Sequence, residues 1–185
     1  MWELLQSSII PVIIVVILLK LFGGKGSSSS VPVGSKFDMD IISGSQVSKL
    51  DKKKKPISEV FAENDIVVFY FSAHWCPPCR NFTPQLASIY KGLKEAGKKI
   101  EVIFMSSDRT EEQMLSYMEE SHGDWFAFEF GSPIKKKFAE HFQVSSIPTV
   151  IVLNGDGVVV STDGRNEILR LDAGVWEKWT AGAPQ

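Results

Sequence analysis

The sequence predicts one α/β domain with a mixed central sheet and flanking helices. Two apolar runs, IVVFYF after Asp65 and IEVIFMS at Ile100–Ser106, are typical of strands that are buried on both faces. The turn sequence Asn154–Gly157 separates two further apolar stretches and predicts an antiparallel hairpin. Segments with apolar residues at helical spacing separate the earlier strands. Because helices separate the first strands and a hairpin follows, the sheet should be mixed.

Composition limits the classes of function. The 185 residues are 44% hydrophobic and 23% charged, which fits one globular domain with an appendage. The net charge of −2 argues against a general nucleic-acid binder, so no nucleic-acid partner is expected. The chain has two cysteines, too few for a disulfide scaffold, and His74 would add only a third ligand to a metal site. We therefore expect no metal and no cofactor other than a redox-active cysteine pair.

The N-terminal segment predicts a single transmembrane helix that anchors the chain through residues 1–22. Its apolar run Leu4–Phe22 carries one charge, Lys20. At about 1.5 Å per residue the run is just long enough to cross a hydrocarbon core of about 30 Å. A cleaved signal peptide is the alternative, but no basic residue precedes the run and the only small-residue site after it is Gly-Gly-Lys-Gly. Residues 23–35 are rich in Gly and Ser and predict a flexible linker, and residues 36–181 form the predicted domain.

Charges beside the predicted anchor indicate its orientation. Glu3 precedes the apolar run, whereas Lys20, Lys25 and Lys36 follow it. The positive-inside rule then places the folded domain in the cytosol, as part of a single-pass membrane protein. Cleavage as a signal peptide would instead send the domain into the secretory lumen or out of the cell.

The helices of the first half have recognisable starts and stops. Ile57–Ala62 predicts a short first helix. The next helix should begin at Pro77 or Pro78, since proline is tolerated in a first turn, and end at Gly97. Its inward face is predicted from apolar residues at helical spacing: Phe82, Leu86, Ile89 and Leu93.

The second half should continue the alternation of helices and strands. Thr110 is a typical N-cap and predicts a helix through Ser121. Later elements are predicted at Ile134–His141 (helix), Thr149–Leu153 and Val158–Thr162 (strands) and around Trp176 and Trp179 (closing helix). The lysine run Asp51–Lys55 predicts a solvated loop, and His122 and His141 are expected at the surface.

The two cysteines form the motif Cys76-Pro-Pro-Cys79, between a predicted buried strand and a predicted helix. A Cys-x-x-Cys pair in this position predicts redox chemistry. Cys76 lies at the helix N-terminus, where the dipole favours a thiolate, and is predicted to be the exposed nucleophile; Cys79 is the buried resolving thiol. Pro77 and Pro78 offer that thiolate no N–H, so its stabilisation falls to the dipole and Arg80, which favours a reducing couple.

The stretch FSAHWCPPCRNFTPQL resembles the tryparedoxin and nucleoredoxin branch of the thioredoxin superfamily. The likeness extends from about Phe61 to Trp179 and includes the segments MSSDRTEEQM and SIPT. It implies a thioredoxin-like fold and activity on protein disulfides. It also implies that Trp75 packs beside the nucleophilic sulfur. Pro148 would be a cis-proline opposite the cysteines, with Ile147 offering backbone hydrogen bonds to an extended substrate.

The sequence departs from the thioredoxin pattern at Tyr70, six residues before Cys76. Many thioredoxins have a buried acid at that place. The acceptor of the Cys79 proton is then expected to be the Tyr70 hydroxyl or a water molecule.

These features predict a membrane-tethered thiol–disulfide oxidoreductase. It would reduce protein disulfides and take electrons from an upstream donor, either a reductase or a small thiol. The alternative is a redox-sensing interaction module, a nucleoredoxin-like regulator that binds a partner and releases it on oxidation. Both hypotheses use the same two cysteines, so the sequence barely separates them.

Overall fold

A seven-stranded sheet forms the centre of the part of the chain that the computed structural model describes, residues 31–181. Its strands are β1 (Gln46–Ser48), β2 (Lys54–Pro56), β3 (Ile66–Ser72), β4 (Ile100–Ser106), β5 (Phe126–Phe128), β6 (Thr149–Asn154) and β7 (Val159–Ser161). Their order across the sheet is β2-β1-β5-β4-β3-β6-β7. β3, β4 and β5 run parallel, and the other neighbouring pairs are antiparallel. The predicted mixed sheet is confirmed.

Helices cover both faces of this sheet. The helices are α1 (Ile57–Glu63), α2 (Pro77–Glu95), α3 (Glu111–Ser121), α4 (Pro133–His141), α5 (Gly164–Leu171) and α6 (Val175–Thr180), with 3₁₀ turns at Met39–Ile41 and Asp172–Gly174. Buried side chains of α2, α3, α5 and α6 share one core cluster, and those of α1 and α4 share the other.

The central strand β3 contributes to both cores. Val68 and Tyr70 lie in the first cluster, whereas Val67, Phe69 and Phe71 lie in the second. All seven residues of the strand are buried. An unbroken apolar run is therefore what this position requires, because side chains alternate between two buried faces.

Two predicted helix boundaries are confirmed by their caps. The Thr110 side chain accepts a hydrogen bond from the Gln113 N–H at 3.2 Å, which fixes the start of α3. Gly97 follows the end of α2 with a φ of 73°, and the Lys98 N–H returns to the Leu93 carbonyl at 3.0 Å. The sequence therefore specifies these ends through residue types that suit caps.

Three parts of the fold differ from the sequence prediction. Lys54–Pro56, predicted as part of a solvated loop, forms the edge strand β2, because its backbone pairs with β1 while the lysines stay accessible. The short strands β1 and β5 were not predicted. The predicted closing helix around Trp176 and Trp179 is confirmed as α6, but the helix α5 that precedes it was not predicted; between the two, Asp172 has a φ of 50°.

The predicted anchor, residues 1–22, lies outside the described residues, as does most of the predicted linker. No helix within residues 31–181 combines the length and apolar character that a membrane span requires. Gly34, near the end of the predicted linker, donates its N–H to the Val159 carbonyl at 2.8 Å.

Candidate active site

The cysteine pair lies where the central strand passes into the longest helix. β3 ends at Ser72, and a short loop leads to Cys76, the N-cap residue of α2. Cys76 and Cys79 are joined by a disulfide, with their Cα atoms 5.2 Å apart. Pro77 and Pro78 occupy the first turn, where a missing N–H removes no helical hydrogen bond. The pair is thus held at the positive end of the α2 dipole, at the carboxyl edge of the parallel strands.

Both cysteines are buried in this disulfide form, which corrects the expectation of an exposed Cys76. The exposed fraction is 3% for Cys76 and 0% for Cys79. Ala73 and Ile147 pack against the pair, and the Cys76 Sγ lies 3.9 Å from the Ile147 carbonyl oxygen. The segment before β6, which the family resemblance places opposite the cysteines, therefore covers the sulfur.

The peptide bond between Ile147 and Pro148 is cis, as the family resemblance implies. It precedes β6, which pairs with β3 from Thr149 to Asn154. This pairing carries the Ile147 backbone to the cysteine loop.

Trp75 is an exposed aromatic residue at the site. The residue is 47% exposed, and its Nε1 donates a hydrogen bond to the Ser107 carbonyl at 2.9 Å. The Arg109 guanidinium lies 5.8 Å from the ring centroid, a cation–π arrangement. The indole is therefore fixed against the segment that follows β4.

Arg80 and Asp108 both hold the loop that precedes Cys76. Arg80 donates from Nη1 to the His74 carbonyl at 2.9 Å. The His74 N–H donates to Asp108 Oδ1 at 2.7 Å, and Asp108 Oδ2 accepts from Ser106 Oγ at 2.9 Å. Asp108 was not among the predicted site residues. Its position directly after a buried parallel strand, next to the strand that leads to the cysteines, could have indicated it.

His74 connects this loop to α3. Its ring stacks on Tyr117 with centroids 5.2 Å apart, and its Nε2 lies 3.1 Å from Glu120 Oε2. The sequence predicted an exposed loop histidine that tunes the Cys76 thiolate, in preference to a metal ligand; in the structure the ring packs on Tyr117 and lies beside the Glu120 carboxylate.

Tyr70 belongs to a buried chain of hydroxyl groups beneath the disulfide. Thr83 Oγ1 donates to the Cys79 carbonyl at 2.9 Å, so its only proton is used there. It must then accept from the Tyr70 hydroxyl at 2.6 Å and from the Tyr117 hydroxyl. Ser72 Oγ, 3.1 Å from the Tyr117 oxygen, completes the chain as its donor. Thr83, which the sequence did not single out, is the centre of this network.

Burial raises the pKa of Tyr70, and the neighbouring Tyr117 raises it further. The Tyr70 hydroxyl is therefore uncharged at neutral pH. It does not act there as an anionic base, and the hydroxyl chain that contains it meets Cys79 at the backbone carbonyl.

Replacing Thr83 with Val should lower the free energy of unfolding by about 1–3 kcal/mol, measured by urea titration. Valine keeps the shape but removes the acceptor of two buried tyrosine hydroxyls and the donor to the Cys79 carbonyl. Thr180→Val is the matched control, since its hydroxyl also donates to a helical carbonyl, that of Trp176, but serves no buried network. A loss no larger in Thr83→Val than in the control would contradict this account.

His122 lies in an aromatic cluster, so the expectation of a surface residue was wrong. Trp125 Nε1 donates to its Nδ1 at 2.9 Å, and the rings of Phe104 and Tyr117 lie 4.5 Å away. Burial, with a smaller contribution from the charge of His74, lowers the pKa of His122 to about 3. The imidazole is thus neutral at the back of the site. His141 is also only half-exposed, with its ring edge against Phe37 at 5.2 Å.

Comparison with known proteins finds the same fold. A family model described as thioredoxin-like matches residues 64–159, just over half of the chain. A probable nucleoredoxin 1 from Arabidopsis thaliana is 43% identical over 103 residues, covering 56% of this chain and 18% of that protein. Nucleoredoxin from Danio rerio is 34% identical over 139 residues, covering 75% and 32%. The chain thus spans about a fifth to a third of the length of these two relatives.

Solved structures extend the similarity over most of the domain. Thioredoxin from Wuchereria bancrofti superposes with a TM-score of 0.65 and 35% identity, covering 80% of this chain and 100% of that one. Native tryparedoxin I from Crithidia fasciculata gives 0.66 and 34%, covering 74% and 92%. The predicted thioredoxin-like fold is therefore confirmed. The residues that match the family model include the strand, the cysteine pair and the cis-proline described above.

Proposed function

The chain belongs to the thioredoxin-like family, and from that membership we propose that it is a protein-disulfide reductase. Its similarity to nucleoredoxins and tryparedoxins supports thiol–disulfide redox chemistry in general. The observation that carries the finer proposal is the Cys76–Cys79 disulfide at the N-terminus of α2. The Ile147 backbone and the exposed Trp75 beside it offer surfaces for a substrate chain.

The proposed cycle transfers two electrons and two protons to the substrate. The Cys76 thiolate attacks one sulfur of a substrate disulfide, which forms a mixed disulfide and releases the other sulfur as a thiolate that takes up a proton. Cys79 loses its proton and attacks the Cys76 sulfur. The second substrate sulfur leaves and is protonated, and the Cys76–Cys79 disulfide remains. An upstream donor, a reductase or a small thiol, then reduces that disulfide.

Helix geometry supports Cys76 as the nucleophile. The α2 dipole favours its thiolate, whereas Cys79 lies within the first turn and is fully buried. Pro77 and Pro78 provide no N–H to the thiolate, so the reduced form is less stabilised than in a strong oxidant. This favours a couple near the about −270 mV of thioredoxin rather than the about −120 mV of such an oxidant.

The proposal includes membrane attachment through residues 1–22, with the folded domain in the cytosol. Reducing conditions there keep a dithiol available as a reductant. Delivery into an oxidising compartment would instead favour oxidase or isomerase activity. Protease protection on intact membranes distinguishes the two orientations.

Insulin reduction tests the proposed activity. With dithiothreitol as the electron donor, the wild-type protein should accelerate insulin precipitation, and Cys76→Ser should not. Equilibration with glutathione should give a potential near about −270 mV. Failure to accelerate precipitation would contradict the proposal, and a potential above about −200 mV would contradict the reducing direction.

A further inference from the structure

Positive side chains surround the exposed indole of the site. Arg109 lies over the Trp75 ring. Lys135 Nζ lies 3.5 Å from the side-chain oxygen of Ser107, and the carbonyl of the same serine accepts the hydrogen bond from Trp75 Nε1. Arg80 is exposed one residue after Cys79. We call Arg80, Arg109 and Lys135 the cationic rim. Arg109 and Lys135 lie near Trp75, in the segment after β4 and in α4, and Arg80, in α2, contacts the His74 carbonyl in the loop that precedes Cys76.

The charges of the cationic rim are not neutralised by neighbouring acids. Among residues 31–181, no carboxylate oxygen lies within 4.0 Å of a charged nitrogen of the rim. By contrast, Lys136, the neighbour of Lys135, has a carboxylate partner in Glu140 at 3.9 Å. An unpaired charge at the rim of a site remains available to a partner.

The acids closest to the cysteine loop are already engaged. Asp108 is buried and accepts from the His74 N–H and from Ser106. Glu120 pairs with His74 and accepts from Ser116 Oγ at 2.6 Å. Glu129 and Asp108 line the same cavity of about 330 Å³ as Lys135 and Lys136. Two cations, Arg109 and Lys135, therefore lie near Trp75, while Asp108 and Glu120 are bound to other groups.

From this arrangement we propose that the cationic rim selects disulfides flanked by acidic residues in the protein substrate. The inference rests on the proposed reductase function and adds the substrate class. A substrate whose disulfide meets Cys76 has its flanking residues over Trp75, within reach of Arg109 and Lys135. Charges at the edge of an interface act mostly through encounter rates, and salt screens them.

Three small disulfides of similar size separate charge from chemistry. They are 3,3′-dithiodipropionate (dianionic), bis(2-hydroxyethyl) disulfide (neutral) and cystamine (dicationic). Stopped-flow fluorescence gives the rate at which the reduced protein reacts with each, and the rate of each with dithiothreitol corrects for intrinsic reactivity. After this correction we expect the dianion to react about threefold to tenfold faster than the dication at low ionic strength, and the difference to shrink at 0.5 M salt.

Charge-reversal variants identify the source of the preference. Arg109→Glu and Lys135→Glu should each lower or invert the ratio of dianion to dication rates, by about threefold to tenfold; the rate with the neutral disulfide measures any loss that does not depend on substrate charge. Lys99→Glu is the matched control, because Lys99 is exposed and lies at the start of β4, about 20 Å along the sheet from the site. It should leave all three rates unchanged.

The outcomes of the two hypotheses are distinct. If the neutral disulfide is not reduced, the reductase function itself fails. If it is reduced but the charge ratio in both rim variants equals that of Lys99→Glu, the charge preference is refuted while the function stands. An equal fall in all three rates in Arg109→Glu would also refute it, because Arg109 would then act only by positioning Trp75.

Discussion

The Cys79→Ser variant should accumulate a covalent mixed disulfide through Cys76, while its turnover falls by several orders of magnitude. A serine hydroxyl is not ionised near neutral pH and cannot displace the substrate sulfur from Cys76. Cys79 is fully buried at the first turn of α2. A thiol from solvent therefore does not readily reach this position to take over the attack on the Cys76 sulfur. Mass spectrometry of the variant after reaction with insulin should show one insulin molecule attached at Cys76 through a disulfide.

The matched control for this trap is Cys76→Ser, which keeps one thiol but should capture no insulin. Capture by both variants would contradict the separate roles of the two cysteines. The same pair of variants tests the alternative of a redox-sensing interaction module. Such a module would retain its partner in Cys79→Ser without covalent capture, and insulin would not be attached.

Acid should weaken the fold because His122 is buried in its neutral form. The pKa of this imidazole is about 3 in the folded chain, against 6.5 as its ordinary value. Between these values the unfolded state binds one more proton, so the free energy of unfolding falls as the pH falls. The contribution is fully present above pH 6.5 and decreases by about 1.4 kcal/mol per pH unit below it, or about 2 kcal/mol between pH 6.5 and 5.

Urea titration at pH 7 and pH 5, for the wild type and His122→Gln, measures this contribution. We expect the variant to be less stable at pH 7, because the Trp125 Nε1–H loses the well-placed acceptor that His122 Nδ1 provides. The fall in its free energy of unfolding between pH 7 and pH 5 should, however, be smaller than that of the wild type by about 2 kcal/mol. Burial raises the pKa of Glu101, so this carboxyl makes the free energy of unfolding rise as the pH falls. That contribution is the same in the wild type and the variant. An identical pH dependence in the two proteins would exclude His122 as the source.

The elements that the sequence predicted are those with their own local pattern. β3 and β4 are unbroken apolar runs, and α2 and α3 carry recognisable ends. β1, β2 and β5 have three residues each, too few for a period to be detected, and they form because a neighbouring strand supplies hydrogen bonds. The helix α5 was not predicted, and a 3₁₀ turn at Asp172–Gly174 separates it from α6.

The same distinction applies to the site. Cys76, Cys79, Trp75 and Pro148 belong to short motifs, and the structure brings them, with Ile147, to one edge of the sheet. The hydroxyl chain does not belong to any motif, because Thr83 meets Tyr117 across 34 positions of sequence. His122 was misplaced for a similar reason: beyond its sequence neighbours Tyr117 and Trp125, the rings around it come from β3 and β4, as Tyr70 and Phe104. Gly123 permits that packing, since a Cβ there would lie 2.7 Å from a ring carbon of Trp125.

The pairing of β3 has a consequence for how the protein loses activity on heating. This strand is hydrogen-bonded to β4 and β6 along most of its length, and all of its residues are buried. Backbone amides in such a strand exchange with solvent only when the whole domain opens. The segment that carries the cysteine loop is thus among the last to be released by local fluctuation, and heat inactivation should coincide with global unfolding.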